Sequence, residues 1–349
     1  MRKLRVGIIV DDVDQGFLIN NLISMSNDSS LYSIDALIVN TNSKSDSQSS
    51  IIKKIISMRK SPLRLMSKVT FRIITILEEF FLGKFSGIDG LSKKTDLNEI
   101  NIPKIFVVPS RSKSGFILRY SDEDLELISS KGLDMLVRGC GAILRGGILD
   151  VCEYGIISFH HGNNDLFRGG PPGFWEVFKR SSTTGFIIQR LCNELDGGDV
   201  YFKGDIPTLP FFSANKQRLY KKSNVFMHKF IEQCSINGGL PHVMEKQPYF
   251  DILYTTPSLI NQLLYLFKTI NFCFFKIFEK TLSIKWRWGV AYQYCDSWKS
   301  VVLWKSKQIK NPPNSFLADP FPIRKDGIDI IYMEQYNYKN AKGVIVAYE

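Results

Sequence analysis

At 349 residues and 44% hydrophobic content, the chain is long enough for two or three domains with ordinary packed cores. A formal net charge of +11 and a pI near 9.2 point to an anionic partner, whether a nucleotide sugar, tRNA, a polyanionic glycan or a membrane surface. The lysines are scattered rather than gathered with aromatics into a recognition module, so nucleic acid is the minority reading.

The opening MRKLRVGIIVDD runs straight into a strand with no long apolar segment and cleavage site, which predicts a cytoplasmic chain. Leu4 to Asp11 is an apolar run ending in acid, as expected of a strand buried on both faces of a parallel sheet. A helix from about Gln15 to Met25 and a second strand at Ile34 to Asn40 complete a βαβ opening, and hence an α/β sheet. No GxGxxG follows the first strand, which removes a nicotinamide-type site.

Thr41 to Ser50 is polar and serine-rich, the composition of a flexible loop. From Ile51 to Leu77 there is no acidic residue. Met66, Val69, Ile73, Ile76 and Phe80 recur at helical spacing, with Lys60, Arg64, Lys68 and Arg72 four apart. This is a basic amphipathic helix within an insertion spanning 41–100. It reads either as a surface lid with a solvated basic face or as a contact for anionic headgroups or substrate phosphates.

A strand at Ile105 to Val108 and a helix near Asp122 to Lys131 lead into DMLVRGCGAILRGGILDVCEYGIISFHHG. That segment reads as strand, glycine loop, helix and strand, with a loop at the strand's carboxyl end, where open α/β sheets bind ligands. Pro171 to Arg180 is predicted helical, its Phe174, Trp175 and Phe178 serving the core. Strands follow at Phe186 to Leu191 and from Asp199, then a helix near Asn215 to Cys234 stopped by Gly238-Gly239. Six cysteines, at 140, 152, 192, 234, 273 and 295, show no CxxC spacing and read as reduced, buried thiols. No metal site is expected.

Phe159 to Val200 joins a histidine loop, FHHGNNDLFRGGPPGFW, to an acidic glycine turn, QRLCNELDGGDV. Ser158-Phe159-His160, Arg168-Gly169, Pro171-Pro172, Thr184-Gly185 and Leu195-Asp196-Gly197-Gly198 stand in an order and spacing that resemble folate-dependent formyltransferases over roughly residues 1 to 240. The resemblance implies a Rossmann-like catalytic domain at 1–245 that uses 10-formyltetrahydrofolate. It also implies that His160 is the general base and that Asp196 supports it, the logic of a catalytic triad generalised. The backbone around Gly141, Ala142, Ile143 and Leu144 would contact the pterin, with Asn193 in the same cofactor site.

Ser158 departs from the family, which places asparagine there as a donor to the oxygen that becomes negative. Losing one such donor costs roughly 10²–10³-fold in turnover. Either activity is reduced or another group substitutes, and Asn163 and Asn164 carry amides in the same loop.

Leu259 to Phe278 is apolar but interrupted by Lys268 and Lys276, which predicts a buried or membrane-adjacent helix within a linker at 246–298 rather than a membrane span. Peripheral contact with the inner membrane face therefore stays open. The segment 299–349 reads as a strand at Ser300 to Ile309 and then a hairpin turning at Lys325-Asp326-Gly327. Its ADPF and YMEQYNYKNAKG motifs resemble the opening blade of glycosidase-like five-bladed propellers, in which Asp319 would be the base. One blade of the several that a propeller needs makes this an incomplete all-β segment, and no glycosidase activity is assigned.

The reading that results is formyl transfer to the amine of a nucleotide- or lipid-linked amino sugar. Its alternative is a non-catalytic carbohydrate-binding or scaffolding protein that retains the fold.

Overall fold

A computed structural model describes residues 2–41, 62–86, 95–112, 115–162, 166–194, 197–245, 252–282 and 287–349. The chain divides into two units, Met1–Phe272 and Cys273–Glu349.

The first unit is built on one seven-stranded sheet. Its strands are β1 (Leu4–Val10), β2 (Tyr32–Asn40), β3 (Lys104–Val107), β4 (Met135–Arg138), β5 (Ile156–His160), β6 (Thr183–Arg190) and β7 (Asp199–Pro207). They lie in the order β7-β6-β5-β4-β1-β2-β3. The first five in chain order are mutually parallel, and β6 and β7 extend the sheet antiparallel from β5.

Residue alternation explains why β1 is apolar without a break. Val6, Ile8 and Val10 face α1 (Phe17–Asn27) and a long late helix, meeting Leu22, Met227 and Ile231. Ile9 faces the opposite layer, with Ile38, Leu136 and Ile128. Each fully buried aliphatic side chain is worth about 1.5–3 kcal/mol, so neither face tolerates a polar residue at these positions.

The remaining helices of this unit are α2 (Pro62–Ser86), α3 (Asp122–Ser129), α4 (Phe174–Lys179), α5 (Phe212–Asn237) and α6 (Leu259–Thr281), the unit boundary falling inside the last. Ser121 caps α3 by accepting from the Asp124 amide, and three acids occupy its first turn. Gly238, at φ 64°, ends α5 in the left-handed conformation that the Gly238-Gly239 signal predicts.

Phe174 and Trp175 are buried with Phe212, Tyr254 and Tyr265, as expected of a core role. The helix they occupy is shorter than the expected span from Pro171 to Arg180.

The helical insertion packs on the core through one side of α2. Phe71 and Ile74 of α2 pack against the Phe174 cluster, while Met66, Val69, Ile73, Ile76 and Phe80 are exposed. Residues 51–61 of the predicted helix and the loop at 42–50 lie outside the described residues.

The second unit contains a meander of β8 (Ser315–Lys325), β9 (Ile328–Asn337) and β10 (Lys342–Tyr348), plus a short pairing of Val290–Tyr292 with Lys307–Ile309. Asp326 (φ 52°) and Gly327 (φ 81°) make the β8–β9 turn, both in the conformation that a two-residue hairpin requires. Asp319 is exposed at φ 49°, at the irregularity between Ala318 and Phe321.

The expected strand at Ser300 to Ile309 shrinks to Lys307–Ile309. Ahead of it the chain makes tight turns, the Val302 amide donating to the Gln293 side chain and the Lys305 amide to Val302. Cys140, Cys152 and Cys234 are buried, and burial pushes their thiols up to about 11, 12 and 12. Cys192 and Cys295 are exposed, against expectation, because both lie in connections beyond a strand end.

Candidate active site

The carboxyl ends of β4 and β5 bring Arg138 and His160 to one edge of the sheet, where β1 hands over to Asp11. A cavity of about 500 Å³ opens there, lined by Ile19, Arg138, Gly141, Ser158, Phe159, His161, Pro172, Lys216 and Tyr220 among others.

Ser158 is almost fully buried, and its hydroxyl donates to the Phe159 carbonyl at 2.9 Å. That leaves its oxygen as an acceptor, and the Arg138 guanidinium approaches it at 3.5 Å through Nη1. The same guanidinium donates to the carbonyls of Ala142 (3.1 Å) and Gly141 (3.4 Å), bracing the loop after β4. On the other side of that loop the Gly141 amide donates to Asp11 at 2.7 Å. Asp11 in turn accepts from Asn40, whose amide oxygen accepts from Tyr120 at 2.7 Å.

The strand pleat separates the two adjacent histidines. Ser158 and His160 alternate with Phe159 and His161 along β5 and just beyond it. His161 stacks on Phe159 at 5.3 Å, lies 4.3 Å from the Tyr220 ring and places Nε2 2.9 Å from the Ser223 hydroxyl. Burial pushes its pKa down to about 3, with His160 and Lys216 adding to the shift. It stays neutral as part of the cavity wall.

His160 is half-buried at the end of β5, paired in register with Ile187, and is not among the residues lining that cavity. Asp196, Asn163 and Asn164 lie outside the described residues.

Gly169 answers to a close approach of the backbone. A side chain there would meet the Tyr254 carbonyl at 2.1 Å, and the residue sits at φ 106°. The glycine lets residue 254 dock as a bridge to the loop, and the Trp175 indole seals the junction by donating to Gly170 and Thr255.

No protein-family model matches the chain. It is 23% identical over 223 residues to the methionyl-tRNA formyltransferase of Bacillus subtilis, covering 59% of this chain and 63% of that protein. The chain is thus similar in sequence to formyltransferases over part of its length. It spans less than two thirds of the length of this curated relative. Among solved structures it is similar to a phosphoribosylglycinamide formyltransferase from Anaplasma phagocytophilum, at 14% identity with 71% of this chain and 98% of that one covered (TM-score 0.44). A sugar N-formyltransferase from Shewanella is 15% identical, with coverages of 77% and 88% (TM-score 0.41).

Formyltransferases take a formylated tetrahydrofolate, so the loop after β4 can be tested against a flat heterocycle with donor and acceptor edges. Residues Ile143–Leu144 form the outer strand of a small sheet, pairing with Ile117–Arg119. The amides of Ile143 and Arg145 donate inward to Phe116 and Leu118. By strand alternation, the Leu144 amide and carbonyl face the open edge, the backbone pattern that a pterin needs. Asn193 braces this loop from the side, its Oδ1 accepting from the Gly146 amide at 3.3 Å. Gly141, Ala142, Ile143 and Leu144 thus share one loop, and Asn193 lies against its far end at Gly146.

Sequence reasoning missed Arg138. Its signal was an arginine closing an otherwise apolar strand directly before the glycine loop.

Proposed function

We propose that this chain transfers the formyl group of 10-formyltetrahydrofolate to the amine of an amino sugar carried on a nucleotide or lipid. The observation that carries the reading is the Ser158-x-His160 pair at the end of β5, whose Ser158 lines a cavity together with Arg138 and Gly141. Bound at the 141–144 edge, the folate supplies the one-carbon unit.

His160 takes the proton that the attacking amine loses, and Asp196 fixes the imidazole tautomer and stabilises its charged form. The Ser158 hydrogen is committed to a backbone carbonyl, so the guanidinium of Arg138 is the donor for the oxygen that becomes negative. Lys216, in the cavity wall, offers a counter-charge to a phosphate on the acceptor. Sugar is preferred over tRNA because the basic residues form no nucleic-acid module and the C-terminal segment resembles a carbohydrate-enzyme blade.

Incubation with 10-formyltetrahydrofolate and a panel of nucleotide-linked amino sugars, with methionyl-tRNA alongside, tests this by following tetrahydrofolate release. Turnover with an amino sugar, abolished in His160→Asn, is the expected result. Turnover only with methionyl-tRNA refutes the acceptor class. No turnover and no folate binding returns the non-catalytic carbohydrate-binding or scaffolding alternative.

A further inference from the structure

Helices α2 and α6 each bury polar side chains while turning an apolar stripe outward. Gln262 of α6 is 2% exposed, donates to the carbonyls of Ser67 (2.7 Å) and Pro257 (2.8 Å), and accepts from the Thr70 hydroxyl at 2.6 Å. Tyr265 accepts from the Phe212 amide at 3.0 Å and donates to Glu78, whose other oxygen takes the Ser213 amide and hydroxyl. These bonds fix how each helix is rotated. Rolling either one to bury its aliphatic side would strand several buried polar groups, at about 1–3 kcal/mol each.

The outward sides are therefore built in. On α6, Leu263, Phe267 and Ile270 are 63%, 64% and 65% exposed, and the only charge between Leu259 and Phe272, Lys268, turns inward to the Phe178 carbonyl at 2.8 Å. On α2, Met66, Ile73 and Phe80 are about half exposed, and Arg64, Lys68 and Arg72 are exposed beside that stripe. At 100° per residue, Arg72 lies next to Ile76 around the helix, so the basic row borders the apolar one. Residues 51–77 hold seven Lys or Arg and no Asp or Glu.

We infer that α2 and the first half of α6 form an in-plane docking surface for an anionic lipid bilayer. The apolar stripes enter the headgroup and acyl boundary, and the basic row meets the headgroups. No helix of the described residues is long and apolar enough to cross a membrane, which restricts the mode to lying on it. A second copy of the chain on the same face would set the Arg64, Lys68 and Arg72 rows against one another, so charge complementarity selects the lipid. The inference is independent of the reaction proposed above.

Co-sedimentation of the full chain with vesicles of phosphatidylglycerol and phosphatidylcholine in equal parts, and with phosphatidylcholine alone, tests it. Binding to the anionic vesicles that weakens with salt and in pure phosphatidylcholine is expected. At about a fivefold effect per basic residue, Arg64→Glu/Lys68→Glu/Arg72→Glu lowers the partition coefficient by at least about a hundredfold. Leu263→Asp/Phe267→Asp abolishes binding. Because all these side chains are exposed, circular dichroism and thermal melting confirm that both variants fold.

Wild-type protein left in the supernatant with anionic vesicles at low salt overturns the inference, as does equal binding by the variants. So does a lipid-free dimer, seen by sedimentation, that Phe267→Asp returns to monomer.

Discussion

Replacing Arg138 by methionine keeps the length of the side chain and removes its charge and all its donors. Three contacts disappear together: the 3.5 Å approach to Ser158, and the bonds to Ala142 at 3.1 Å and Gly141 at 3.4 Å. If the guanidinium is the donor to the developing oxyanion, losing it costs about 2.7–4 kcal/mol of transition-state stabilisation, or 10²–10³-fold in kcat. On the same reading, the two carbonyl contacts brace the loop that would hold the folate and contribute to KM instead. The assay is steady-state formyl transfer with folate and acceptor varied separately.

Ser158→Asn discriminates further. In the wild-type background the larger amide competes with Nη1 for the same space and lowers kcat. In the Arg138→Met background it restores a donor and recovers about tenfold or more. The reasoning fails if Arg138→Met changes only KM, or if the two substitutions combine additively, because residues sharing one task do not.

Other outcomes follow from the surrounding packing. His161 has its pKa lowered from an ordinary 6.5 to about 3, so its neutral form is favoured by folding. Its contribution is fully present above pH 6.5 and is lost as pH falls toward 3, reaching about 1–2 kcal/mol by pH 5. Urea midpoints compared between pH 7 and 5 check this, and His161→Gln should flatten the difference. Asn215 is wholly buried, donates to the Gly173 carbonyl (3.0 Å) and the Thr184 hydroxyl (2.9 Å), and accepts from the Leu209 amide (3.0 Å). Asn215→Ala should cost about 3 kcal/mol or more, read from denaturant unfolding. Gly169→Ala drives a methyl into the Tyr254 carbonyl and should release the 252–256 segment, seen as faster proteolysis there and altered Trp175 emission.

Much of the first unit was legible because its physics is local. The unbroken apolar run of Leu4 to Val10 announces burial on both faces, and Gly238 announces a helix end in a conformation that glycine adopts at no steric cost. The α2 stripe was legible as a helix but not as an exposed face. Periodicity records that two sides differ; it does not record which side faces the core. Here the answer was set by long-range partners, Gln262 with Thr70 and Tyr265 with Glu78, separated by almost two hundred residues. The short strand at Lys307–Ile309 failed for a related reason. The Val302 amide found a side-chain acceptor in Gln293, and no ladder formed there.

The site divides along the same line. Ser158 and His160 were found because a strand's alternation fixes their spacing in sequence. Arg138 lies twenty residues away on the neighbouring strand, where only the pairing of Leu136 with Ile156 and Val137 with Ile157 brings it beside Ser158. Serine is shorter than the asparagine the family places there, and the space it leaves is reached by a guanidinium from β4. On the proposed reading, Arg138 answers the departure at 158 from the neighbouring strand, a cationic donor standing in for the neutral amide expected there. A cation needs no proton from serine, which explains why Ser158 can spend its own hydrogen on the Phe159 carbonyl.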